Sequence, residues 1–316
     1  MKRVALFIVV FSLFFAKTTF ASYAVVNSDN GAILIGSNAH EPLPVASLTK
    51  IWTAYIVVKN SDLNEQVIVS KEAAHMEGSS IYLQQGQKIS VETLLYGLLL
   101  RSGNDAATAL AEHVGGSVEG FVQLMNEEAD RQGLVSSHFK NPSGLHDDEH
   151  LISAYDMAQM LNIAMQHPVF AKIASSTYYS NGEVHWQNKH RLVGKGEALS
   201  GKTGYTKVAG RTLATFYKYP DRSFAVVTIN ASDDWNLHGQ LANEVMQEFA
   251  WQEVVGKGRY NVAGEKFIVE QPITALVKKN EHIKHMIKLS RLNSDEALWY
   301  VMQNDEILQI ERIKRK

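Results

Sequence analysis

From Val45 to Val58 nearly every side chain is apolar, and the run opens on Pro44-Val45-Ala46-Ser47-Leu48-Thr49-Lys50. Such a stretch packs inside a protein, and it takes two polar groups in with it. Ser47 and Lys50 stand three residues apart, a spacing that stacks helical side chains on one face with Cβ atoms about 5–6 Å apart. Ser47 Oγ and Lys50 Nζ then lie within reach of each other. Apolar burial disfavours an ammonium, and a cation in the first helical turn faces the positive end of the macrodipole. A neutral amine in this position can take a proton from a serine. The competing reading is a helix start whose two polar residues face solvent, so the rest of the chain has to decide.

At 316 residues the chain suits one large domain plus a small one, and 45% apolar with 20% charged residues is ordinary for a globular protein. Residues 1–21 read as an export signal: Lys2 and Arg3, the apolar run Val4 to Phe15, then Thr19-Phe20-Ala21 as a small-x-small cleavage site. The run is shorter than the roughly 20 apolar residues a bilayer span needs. Losing Lys2, Arg3 and Lys17 without any acid takes the formal charge from −2 to about −5. A mildly acidic exported chain is a poor candidate for nucleic acid. The absence of cysteine excludes disulfides, thiolate metal sites, a cysteine nucleophile and a lipoprotein anchor.

Taken in order, Tyr23 to Asn27 and Ala32 to Gly36 flank Ser28-Asp29-Asn30-Gly31 and predict a hairpin. Glu41 to Pro44 ends extended structure ahead of the Ser47 helix. An apolar helix over Val91 to Leu100 runs into Arg101-Ser102-Gly103-Asn104-Asp105, followed by a helix over Ala106 to Val114. Taken alone, Ser102 and Asn104 read as helix caps. Ser153-Ala154-Tyr155-Asp156 resembles a capping box, with Asp156 structural. Leu199-Ser200-Gly201-Lys202-Thr203-Gly204 precedes two β-rich runs, Thr212 to Tyr217 and Phe224 to Asn230, which predict an antiparallel hairpin. Leu241 to Trp251 returns to a helical period. After Gly258 the segments are short and mixed, which predicts a small, mostly β unit from about Asn261, with Ser294 to Met302 open between helix and strand.

Two motifs point elsewhere. Gly196-Glu197-Ala198-Leu199-Ser200-Gly201-Lys202-Thr203 fits the phosphate-loop pattern, but that loop needs a buried strand before it and a helix after it, and β-rich runs follow here. His146-Asp147-Asp148-Glu149-His150 fits a zinc-binding pattern, yet it follows Asn-Pro-Ser-Gly among poor helix formers with no further carboxylate ligand marked. A solvated or loop-pinned polar run is the reading taken for it. His282 and His285 read as surface residues.

Ser47-x-x-Lys50, Ser102-Gly103-Asn104 and Lys202-Thr203-Gly204 are each weak alone. In this order, at a helix start, an interhelical turn and a strand, they resemble the signature of penicillin-recognising serine acyltransferases. Asn141-Pro142-Ser143-Gly144-Leu145-His146, Gly201 to Thr206 and Ala209-Gly210-Arg211-Thr212 bring the resemblance closer to the low-molecular-mass D-alanyl-D-alanine carboxypeptidases of peptidase family S11. Asp233-Asp234-Trp235-Asn236-Leu237-His238 is similar to the Gram-positive, partly sporulation-associated members. The likeness covers about Ser22 to Gly258. An arginine that some relatives use for the substrate carboxylate is not evident.

The resemblance implies an α+β fold of the beta-lactamase and transpeptidase type, a central antiparallel sheet flanked by helices. Residues 22–260 would form it, and 261–316 a small C-terminal β domain. It implies acyl transfer through a Ser47 ester with Lys50 as base and Ser102 relaying the proton to the leaving D-alanine. Asn104 would hold the peptide amide, Lys202 and Thr203 the terminal carboxylate, and the N–H groups of Ser47 and Tyr205 the oxyanion, with Gly204 letting the substrate lie against the strand. No metal or organic cofactor is needed. The implied partners are a peptidoglycan stem peptide ending in D-Ala-D-Ala and, as inhibitors, beta-lactams. Action would be outside the cytoplasm, with membrane contact through the C-terminus left open. A serine beta-lactamase is the nearest rival, but Ala158-Gln159-Met160-Leu161-Asn162 has alanine where the class A deacylating glutamate belongs. A non-catalytic wall-binding protein is the alternative from another class.

Overall fold

A computed structural model describes residues 21–290, 293 and 295–315. The expected export signal lies outside the described residues except for Ala21. Among those described, no helix is long and apolar enough to cross a membrane.

The alternating apolar runs form one five-stranded antiparallel sheet from strands β1 (Ser22–Asn27), β2 (Ile33–Ser37), β3 (Ala198–Thr206), β4 (Gly210–Lys218) and β5 (Ser223–Ile229). Their order is β2-β1-β5-β4-β3, so β3 is an edge strand. Side chains alternate across a strand. Ala24, Val26, Ala225, Val227 and Ile229 point into one core, and Val25, Phe224 and Val226 into another. Both faces are therefore covered. On the first lie the helices α1 (Thr49–Asn60), α2 (Asn104–Gly115), α3 (Val118–Arg131) and α4 (Ala154–Met165), and on the second α5 (Asp234–Glu248). The expected hairpin is β1 and β2, joined by a turn in which Gly31 N–H donates to Asn27 O.

Helix α1 is buried from Thr49 to Val57, its apolar side chains taking Thr49, Lys50 and Thr53 inside with them. Trp52, fully buried, gives its indole N–H to Met125 O at 3.0 Å. The helix expected over Val91 to Leu100 differs in its second half. It is α-helical only over Val91–Tyr96 and widens into a π-helical turn, Gly97–Arg101, that ends on Ser102 in the left-handed region, φ 67°. Ile81 packs so close to Gly97 that a Cβ there would lie 2.7 Å from its Cδ1. Asp156 is structural as expected, with its carboxylate accepting from Ser136 N–H and Ser137 Oγ.

The chain beyond α5 is β structure. Strand β6 (Phe249–Val255) pairs with β9 (Ile273–Lys278). Strands β7 (Gly258–Val262), β8 (Glu265–Val269), β10 (Lys284–Leu289), β11 (Glu296–Gln303) and β12 (Glu306–Arg315) form a second five-stranded sheet. Burial along β11 alternates strictly, so the open helix-or-strand segment is strand from Glu296 to Met302, while Ser294 lies outside the described residues. The helix expected over Leu241 to Trp251 stops at Glu248, because Phe249 to Trp251 pair with Leu276 to Lys278. We propose the division between the two units at Glu248, ahead of the expected residue 261.

Candidate active site

Ser47 lies in a 3-10 turn, Ala46–Leu48, that leads into α1. Lys50, in the first turn of α1, is fully buried. Its Nζ lies 2.8 Å from Ser47 Oγ, 2.8 Å from Asn104 Oδ1 and 2.6 Å from Ser143 O. The last two oxygens can only accept, and Asn104 is fixed in this orientation because its Nδ2 donates to Glu77 O at 2.6 Å. A neutral amine has two protons to give. Both go to these oxygens, and the lone pair is left facing the Ser47 hydroxyl. Burial drives the Lys50 amine well below its ordinary value, the positive charges of Lys202 and Lys189 push it the same way, and Asp105 opposes them. Asp105 is spent elsewhere, since its carboxylate accepts from Ile81 N–H, Leu83 N–H and Ser80 Oγ and holds the loop beside Ser79.

Ser102, at the left-handed end of the π turn, accepts from Lys202 Nζ at 3.0 Å. Lys202 also donates to Thr203 O at 2.7 Å, and burial together with Lys189 lowers it to about 7. Strand β3 thus carries Lys202, Thr203, Gly204 and Tyr205 along the edge of the sheet next to Ser47. Gly204 is required there by close approach. A Cβ would lie 2.4 Å from Thr212 Oγ1, 3.0 Å from Ser47 N and 3.1 Å from Val45 O. Thr212 Oγ1 itself donates to Val45 O at 3.0 Å and ties the sheet to the serine turn. Tyr205 is exposed, with its side chain on the cleft lining.

The cleft, about 500 Å³, joins Ser47, Ser102, Thr203, Gly204 and Tyr205. Lys50, Asn104 and Lys202 lie behind this lining, and the Asn104 amide is bonded at both ends, Oδ1 accepting from Lys50 Nζ and Nδ2 donating to Glu77 O. Two arginines, Arg191 and Arg211, line the cleft. Arg211 is paired with the buried Asp234 through Nη2–Oδ1 at 2.6 Å and Nε–Oδ2 at 3.2 Å, and Arg191 lies over the Trp235 ring. Lys189 completes the basic rim. None of these side chains sits at a recognisable spacing from the serine, so no local signal could have found Lys189 or Arg191.

Neither the phosphate-loop pattern nor the zinc pattern is realised in the fold. Lys202 and Thr203 sit on a strand with no helix after them, which no phosphate loop allows. His146 makes a surface contact to Asp148, while His150 is buried with both ring nitrogens committed to protein groups. Ala158 is fully buried on α4.

A sheet covered on both faces, with a serine turn between a helical layer and an edge strand and two buried lysines beside it, defines a penicillin-recognising serine acyl-transfer site. Residues 15–233 match the peptidase S11 family, described as D-alanyl-D-alanine carboxypeptidase, and the chain belongs to that family. It is 32% identical over 293 residues to the D-alanyl-D-alanine carboxypeptidase DacF of Bacillus subtilis, covering 84% of this chain and 75% of that one. The crystal structure of penicillin binding protein 6B from Escherichia coli is similar with a TM-score of 0.72 at 25% identity, over 92% of this chain and 93% of that chain. That of the D-alanyl-D-alanine carboxypeptidase DacD from Francisella tularensis shares the fold with a TM-score of 0.77 at 21% identity, over 93% and 92%.

Proposed function

We propose that this protein is a serine D-alanyl-D-alanine carboxypeptidase, open to acylation by penicillins, that trims peptidoglycan stem peptides through an ester on Ser47. The observation that carries this reading is the Lys50 amine, which lies 2.8 Å from Ser47 Oγ and within 2.8 Å of two acceptor-only oxygens, Asn104 Oδ1 and Ser143 O, so that in its neutral form the lone pair is left to the Ser47 hydroxyl. Ser47 Oγ attacks the carbonyl carbon of the penultimate D-alanine while its proton passes to Lys50 Nζ. The negative charge that develops on the carbonyl oxygen is held by the backbone N–H groups of Ser47 and Tyr205, each such donor contributing about 3–4 kcal/mol. The C–N bond then breaks, and the proton returns to the leaving amine through Ser102. Water hydrolyses the ester and restores the serine.

Lys202 and Thr203 bind the terminal carboxylate, which confines the enzyme to chain ends, and the basic rim of Lys189 and Arg191 adds attraction for an anionic peptide. The substrate is the stem peptide ending in D-Ala-D-Ala, so the site of action is the outer side of the cytoplasmic membrane, reached through residues 1–21. Membrane contact through the C-terminus gains little support from β12, where Lys314 and Arg315 already carry the carboxylate partners Glu270 and Glu265.

The test is release of free D-alanine from a diacetylated L-Lys-D-Ala-D-Ala peptide, with and without penicillin. Release blocked by penicillin, and fluorescent-penicillin labelling lost in Ser47→Ala, is the expected result. Labelling that persists in Ser47→Ala overturns the assignment.

A further inference from the structure

Four residues outside the cleft form a hydrogen-bonded line with a fixed direction. The Lys140 backbone N–H donates to His150 Nδ1 at 3.1 Å, so that nitrogen carries no proton. The ring proton is therefore on Nε2, 2.8 Å from Thr49 Oγ1, and is donated to it. The single hydroxyl proton of Thr49 then goes to Ala46 O at 2.9 Å. Ala46 directly precedes Ser47 and has φ 50°, a left-handed alanine of the kind that costs about 1–3 kcal/mol and persists only where its surroundings enforce it. The Thr49 hydroxyl bond is one of those restraints, and its direction is set by His150.

The same imidazole holds a second piece of the site. Accepting from Lys140 N–H anchors the loop that follows, in which Asn141 Oδ1 accepts from Ser143 N–H at 3.1 Å and Gly144 N–H at 2.8 Å. Ser143 O is the acceptor for Lys50 Nζ. The loop also packs directly on the serine turn. Gly144, φ 80°, lies so close to Ala46 that a Cβ on it would fall 1.9 Å from Ala46 O.

We infer that His150 is the positioning residue of this site: it fixes the Ala46 peptide on one side and the Ser143 loop on the other, and so sets the 2.8 Å approach of Lys50 Nζ to Ser47 Oγ. This rests on Ser47 and Lys50 being the nucleophile and base. His150 is 3% exposed and does not line the cleft, so it acts through Thr49 and the loop without touching substrate. Burial lowers its ring to about 4 against the opposing charge of Asp147, and the neutral tautomer therefore persists at neutral pH.

Acylation by a fluorescent penicillin, separated into the initial binding constant and the acylation rate constant, tests the inference on folded protein counted by circular dichroism. Asn at position 150 can keep an acceptor near Lys140 N–H but cannot reach Thr49, whereas the amide of Gln can donate there. His150→Asn and Thr49→Val are expected to slow acylation about 10–100-fold with the initial binding constant unchanged. His150→Gln recovers most of the rate, and the double variant His150→Asn/Thr49→Val is no slower than the slower single. An acylation rate in His150→Asn within about twofold of the wild type, or losses that multiply in the double variant, overturns the inference. Labelling of Ser47→Ala would instead remove the nucleophile assignment, and that outcome is read separately.

Discussion

Lys50 and Lys202 are buried in the same site and, among the described residues, neither has a carboxylate partner of its own, so their protonation states decide what the cleft can do. Lys50 must be neutral to take the Ser47 proton. Because its folded-state value is depressed, the neutral fraction grows as pH rises through that value, and acylation is lost on acidification. Lys202 works in the opposite sense. Its charge attracts a carboxylate below about 7 and is lost above it in the unliganded enzyme. The kcat/KM of a peptide ending in a free D-Ala carboxylate should therefore rise and then fall with pH. The same peptide ending in a carboxamide should keep the acid limb and lose the alkaline one. An identical alkaline limb in both profiles would show that Lys202 is not the partner of the carboxylate. At this scale the serine and its base were legible because three-residue spacing is local geometry. The contacts of Asn104 and His150 were not, since Glu77 stands 27 residues from Asn104 and Thr49 stands 101 from His150.

At the level of elements, the site depends on how closely the edge strand β3 approaches the turn that carries Ser47. Thr212 on β4 reaches across to Val45 O, and only a residue without a Cβ fits at 204 between them. Gly204→Ala should push the strand edge outward and slow penicillin acylation by about 100-fold, the loss expected of a misplacement near 1 Å. Thermal stability should change far less, because β3 keeps its ladder with β4. Acylation at the wild-type rate in Gly204→Ala would mean that the strand and the serine turn do not have to touch. The strands were readable from alternation and the buried helix from its continuous apolar run. What escaped was decided by neighbours: the π turn where Ile81 crowds Gly97, and the end of α5, where pairing of Phe249 with Lys278 overrides a helical period.

On the scale of the whole molecule, the C-terminal strands are fastened to the first sheet by a shared core. Phe249 and Leu276 pack in the same cluster as Val25, Phe224, Val226 and the inner face of α5. Lys278 adds ion pairs to Glu244 and Glu248, and Asn30 donates to Leu308 O at 2.7 Å. The composition shift after Gly258 marked a second unit correctly as β-rich, but sequence pattern carries no information on which apolar residues will be shared between units. A shared core makes unfolding cooperative. Urea should therefore remove near-UV circular dichroism and penicillin-labelling capacity at one midpoint. Leu276→Ala deletes a fully packed side chain, 2% exposed and outside every catalytic motif, and should cost about 2–5 kcal/mol. Both signals should move together to a lower urea concentration. Labelling capacity that survives at the wild-type midpoint while the circular dichroism shifts would show that the C-terminal strands unfold independently and that the shared core does not couple the two units.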